Sequence, residues 1–136
     1  KLEKHLFFQS IQKFRKLKAE QCEIGANFIV DGTSSNLRAI LKEKQMYEDA
    51  GYDCAMIMVD LDPEVSVERN RQRGAKGGRQ LSDFVVRRSA QSVMPNKDVY
   101  AQEFQNFWVV SNLGSFEEYQ NSIREISPEI EQFLMA

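Results

Sequence analysis

One histidine, two cysteines and no long apolar run set the first limits on this 136-residue chain. With His5 as the single imidazole, a histidine-built metal site or a serine–histidine triad is nearly excluded as the organising chemistry. Cys22 and Cys54 lack metal-binding spacing and make no disulfide framework, so they read as free thiols of a reducing cytoplasm. No stretch approaches the ~20 apolar residues needed to cross a bilayer, and no signal peptide opens the sequence, so no membrane partner is expected. Neither sign of charge dominates: Lys and Arg total 18 against 20 for Asp and Glu. That balance argues against a protein that works by blanketing nucleic acid with charge.

What is present fits one domain with a real core. Hydrophobic residues at 42% and charged residues at 28% exclude a disordered or low-complexity chain. Leu6, Phe7, Ser10, Ile11, Phe14 and Leu17 recur at helical spacing, opposite Lys4, Lys13, Arg15, Lys16 and Lys18, so residues 2–20 read as an amphipathic helix. The apolar run 26–30 reads as a buried strand ended by Asp31-Gly32-Thr33, with Ser34 or Ser35 capping a helix that Gly51 stops. Residues 54–59 read as a second strand. Asp62-Pro63-Glu64 then opens a helix that runs to about Arg73. The glycine-rich stretch 74–79 reads as a mobile surface loop. Ser82 or Asp83 opens a further helix, broken at Met94-Pro95 and resumed over 96–104. Residues 107–110 form a third strand. Ser115 and Glu118 match a capping box, and Ser127-Pro128 separates a last short helix from the one before it. Strands alternating with helices give an α/β class: a parallel sheet covered by helices on both faces, with ligands beyond the carboxyl ends of the strands.

Two constellations carry the chemistry. Asp31 stands at the tip of an apolar strand, where a carboxylate needs a partner, a hydrogen bond or a metal, and Gly32 lets a ligand approach the backbone. The plainer reading is an Asp that caps the turn. Arg69, Arg71, Arg73, Lys76, Arg79, Arg87 and Arg88 follow, with Asp83 the one acid among them. Guanidinium forks match phosphate oxygens, and several on a hinged flap would close on a polyphosphate and exclude water. Here the plainer reading is a solvated basic helix pair answered by Glu117, Glu118, Glu125, Glu129 and Glu131. A nucleic-acid patch is the third, weakened because no aromatics interleave with the arginines between 69 and 83.

From Asn27 to about Asn112 the sequence resembles P-loop phosphotransferases of the nucleoside-monophosphate-kinase and zeta-toxin-like group. The features are Asp31-Gly32-Thr33 after a strand, Gly51-Tyr52-Asp53 before the next with Asp62-Pro63-Glu64 after it, and the order Arg69, Arg73, Gly78-Arg79, Asp83, Arg87-Arg88. The resemblance implies phosphoryl transfer from ATP to a small-molecule, nucleotide or nucleic-acid acceptor. It implies Mg²⁺ assisted by Asp31 in the Walker B manner, with Gly32 and Thr33 beside the nucleotide. Arg69, Arg73 and Arg79 would act from a lid spanning about 69–88, with Arg87 or Arg88 reaching in from the following helix. Ser111 and Asn112 would hold the adenine.

The family's G-x-x-x-x-G-K-[ST] phosphate loop does not occur in the sequence. Its strand belongs between those ending at Asp31 and Val59, which would otherwise face each other across a gap ~5 Å wider on each side than a normal pairing. Three arrangements answer this: a preceding segment that carries the loop, direct pairing of the two flanking strands, or a strand from another chain. The start at Lys1 favours the first, making residues 1–136 the C-terminal larger part of a kinase-like fold. A non-catalytic nucleotide- or nucleic-acid-binding module is the alternative function.

Overall fold

The computed structural model describes residues 2–136, with side chains from Phe7 onward. In chain order it contains α1 (Leu2–Ile24), α2 (Leu37–Asp49), β1 (Ala55–Asp60), α3 (Pro63–Ala75), α4 (Asp83–Val93), a 3₁₀ turn (Met94–Asn96), α5 (Lys97–Glu103), β2 (Asn106–Ser111) and α6 (Phe116–Met135). β1 and β2 pair in parallel, Ala55 opposite Asn106 through to Asp60 opposite Ser111. The crossover between them carries the arginine-rich helices.

Local chemistry accounts for most boundaries. Asp62 accepts the backbone N–H groups of Glu64 and Val65, and Pro63 occupies the first turn of α3. Ser82 caps α4 through Val85 N–H. Ser115 and Glu118 form the reciprocal capping box that starts α6. The core gathers Met58, Val67, Tyr100, Phe104, Trp108 and Val110. Trp108 on β2 meets the Phe133 ring edge-on at 6.0 Å and donates Nε1–H to Glu129 at 2.8 Å, which seats α6 against the sheet.

Several expectations are corrected. Residues 26–30 are not a strand: the run 26–36 has no regular secondary structure. A strand needs a ladder partner, and among the described residues none lies beside this run, so Ile29 stays 95% exposed. Direct pairing of this run with β1 is therefore not the arrangement. Aromatic packing holds the segment instead, with the Phe28 ring 5.3 Å from Tyr47 and 5.5 Å from Tyr52. Nor are both faces of β1 covered, since Ile57 and Val59 are 51% and 49% exposed.

Asn36, not Ser34 or Ser35, caps α2, its Oδ1 accepting Ala39 N–H at 3.1 Å. The last two helices are one, α6, with Pro128 inside it. Proline removes a single donor, and the packing of Phe133 beyond it keeps the helix running. On α1, Phe7, Phe14 and Leu17 are exposed while Ile11 is half-buried, so the expected stripe is not the sheltered one. The side chains of Lys4, His5 and Leu6 lie outside the described residues.

Candidate functional site

A cleft of about 920 Å³ opens between residues 28–34 and the unpaired edge of β1. Phe28, Val30, Met56, Ile57 and Val59 give it an apolar floor. Asp31, Gly32 and Thr33 line it from one side and Arg73 lines it from another. Asp31 and Arg73, both singled out by the sequence, are thus both among the residues that line this one large cleft.

The other arginines divide. Arg87 bonds Glu64 through Nε at 2.5 Å and through a terminal nitrogen at 2.9 Å. That bond holds the Glu64 carboxyl below the usual range and raises the Arg87 guanidinium. Arg71 bonds Asp83 at 2.5 Å, which raises its own pKa. These partners sit on the neighbouring helix starts, not on the acidic residues of α6. Glu118 instead takes the Ser115 N–H at 2.8 Å, and Glu129 takes Trp108. Arg69, Arg79 and Arg88 form no ion pair among the described residues and do not line the cleft.

The glycine-rich stretch has a defined geometry. Gly77 adopts φ +79°, its N–H meets the Gly74 carbonyl at 2.9 Å, and Gly78 N–H meets the Arg73 carbonyl at 3.0 Å. That pair of bonds is a Schellman cap ending α3. A Cβ on Gly78 would lie 2.8 Å from Arg73 Cγ, so only glycine lets the turn close over the Arg73 side chain. Beneath it Asn70, 2% exposed, donates Nδ2 to the Leu81 carbonyl at 2.8 Å and accepts Leu81 N–H on Oδ1 at 3.0 Å. The same Oδ1 receives Arg73 at 3.3 Å. One buried amide therefore closes the loop 74–80 and touches the cleft arginine.

Ser111 and Asn112 stand apart from the cleft. Ser111 lines a shallow depression with Leu113, Gly114, Glu118 and Ser122, its N–H bonded to Ser122 Oγ at 2.8 Å. Asn112 N–H bonds the Asp60 carbonyl at 3.0 Å, next to the sheet.

Sequence reasoning marked the strand end at Asp60–Asp62 as a place to search, and missed Asn70, Lys97, Asn96 and Tyr100. Asp60 carries the same signal as Asp31, a carboxylate ending an apolar run, and Lys97 Nζ meets its Oδ2 at 2.7 Å. Asn70, Asn96 and Tyr100 act through contacts with distant backbone, for which local pattern holds no signal.

A parallel sheet with a helical crossover, and an acid and an arginine on one cleft beside it, are compatible with the P-loop kinase-like α/β class. The family model described as zeta toxin matches residues 9–124, and the chain belongs to that family. No curated protein matches it. That family is one of P-loop kinase-like phosphotransferases that use ATP.

Such kinases work with Mg²⁺. Among the described residues no group of three or more His, Cys, Asp or Glu side chains is placed to hold a metal. Asp31 is exposed, and the Thr33 and Ser35 hydroxyls two and four residues on lie 3.3 Å apart; Mg²⁺, which keeps its waters and takes phosphate oxygens, needs only one or two such carboxylates. No helix among the described residues is long and apolar enough to cross a membrane.

Proposed function

We propose that this chain forms the metal-assisting and lid part of an ATP-dependent phosphotransferase. Asp31 assists Mg²⁺, Gly32 and Thr33 line the nucleotide's path, and Arg73 is the first guanidinium to meet the phosphates. The observation that carries this reading is the shared cleft of Asp31 and Arg73. Arg69, Arg79 and Arg88, free of ion pairs, close from the lid. Arg87 joins only by exchanging Glu64 for phosphate, a swap between two bidentate partners. Ser111, in the separate depression, and Asn112, next to it in sequence, serve the base. The open edge of β1 and the apolar floor support a parallel strand entering the cleft and bringing a phosphate loop to its carboxyl end. The acceptor is a small molecule, a nucleotide or a nucleic-acid end.

Turnover of ATP by the native protein tests this. Asp31→Ala and Arg73→Ala are each expected to lower kcat at least about a hundredfold without unfolding the protein. Normal turnover in both removes the assignment. A non-catalytic binding module is the second reading, favoured by the absence of a G-x-x-x-x-G-K-[ST] run from the sequence. It is expected to show affinity for single-stranded RNA or ATP that falls steeply with salt and ignores Mg²⁺.

A further inference from the structure

Past the Phe28 ring contacts, the loop that carries Asp31 has little of its own to hold it. It belongs to no ladder, and Ser34 sits at φ +52°, a left-handed conformation that strains a non-glycine residue. Such a backbone persists only where its surroundings fix it. Here the fixing groups come from one short segment far along the chain. Tyr100 has no exposed surface, and its hydroxyl donates to the Ser34 carbonyl at 2.7 Å. Asn96 Nδ2 donates to the Ser35 carbonyl at 3.0 Å and approaches the Ser34 carbonyl at 3.4 Å. Between them in sequence, Lys97 reaches the tip of β1 through Asp60. The start of α5 thus grips the Asp31 loop and the end of β1 together.

We propose that Asn96 and Tyr100 are positioning residues that hold the Asp31–Ser35 loop in its Mg²⁺-competent conformation. Neither side chain needs to touch metal or nucleotide. Their donors fix two successive carbonyls, so the strained turn at Ser34 is maintained and Asp31 is kept at the cleft lining. Segment 94–96 directly continues α4, so the grip also links the arginine-bearing helix to the acid. The inference rests on the reading of Asp31 as the metal-assisting acid, and its test separates the two.

Tyr100→Phe and the double variant Tyr100→Phe/Asn96→Ala are compared with the native protein by two measurements. The first is amide hydrogen exchange at residues 31–36, with β1 and β2 as internal controls. The second is calorimetric titration with ATP in the presence of Mg²⁺ and in its absence. Exchange at 31–36 is expected to quicken about five- to tenfold in Tyr100→Phe and further in the double variant, with the strands unchanged. Affinity for Mg²⁺-ATP is expected to fall by a similar factor while that for metal-free ATP stays constant. A general loss of structure would weaken both and would quicken exchange in the strands, which overturns the proposal. So does Mg²⁺-ATP affinity that the substitutions leave unchanged. If the native protein binds no ATP, the phosphotransferase reading fails and exchange alone decides: acceleration confined to 31–36 sustains the grip, and none refutes it.

Discussion

The side-chain amide of Asn70 satisfies both backbone polar groups of Leu81, at 2.8 and 3.0 Å, across a loop of arginine and glycine. A single buried residue thereby fixes where α3 hands over to α4 and where Arg73 leaves the helix. Replacing it with Leu keeps the volume and removes all these bonds. The expected loss is about 2–3 kcal/mol, because the partly buried N–H and C=O of Leu81 are left without their amide partner. Urea denaturation measures it, and a midpoint equal to that of the native protein would show that Leu81 finds other partners.

Lys97 and Asp60 form a partly sheltered ion pair between α5 and the tip of β1, 2.7 Å apart. Lys97→Met leaves the Asp60 carboxylate sheltered and unanswered, with an expected cost of about 1–2 kcal/mol. Asp60→Asn in the same chain should recover most of it. A thermal unfolding series over the four proteins supplies the coupling between the two sites. Additive single effects would mean that the pair contributes nothing.

Stability should depend on pH through α2. Burial pushes the Glu43 carboxyl up, but bonds from Lys18 and from the Tyr47 hydroxyl, at 2.7 Å, outweigh it and leave the pKa lowered. In the unfolded chain a glutamate titrates near pH ~4.3. The contribution is therefore complete above about pH 5 and is lost as pH falls through the depressed folded value. Tyr47 moves upward, by burial first and then by its bond to Glu43. Its contribution is complete below about pH 9 and fades as pH rises beyond ~10, where the unfolded phenol ionises. Glu43→Gln should flatten the acid limb of a stability profile recorded by denaturation from pH 3 to 8. An unaltered limb would assign the acid sensitivity to other carboxylates.

Turn chemistry made the caps legible. Asp62-Pro63, Ser82 and the Ser115–Glu118 box act within a few residues of themselves, so their order in the sequence is already their geometry. The strands 55–60 and 106–111 were legible because they pair with each other. The run 26–30 has the same apolar character and is no strand, since ladder formation depends on a neighbour that no local pattern encodes. Pro128 misled for the opposite reason: tertiary packing of α6 outweighed a local breaker. At the site, Asp31 and Arg73 were visible as chemistry, and the resemblance put them in one place. Asn96 and Tyr100 were invisible, because each meets backbone more than sixty residues away.

The central claim is that Asp31 and Arg73 meet the same metal–triphosphate. Mn²⁺ replaces Mg²⁺ at oxygen sites and broadens the NMR signals of nearby nuclei. We expect Mn²⁺-ATP to broaden the backbone amides of Asp31, Gly32 and Thr33 together with the side-chain Nε–H of Arg73, while Ser127 and Glu131 on the far part of α6 remain sharp. Broadening of one group without the other, or of neither, would contradict it.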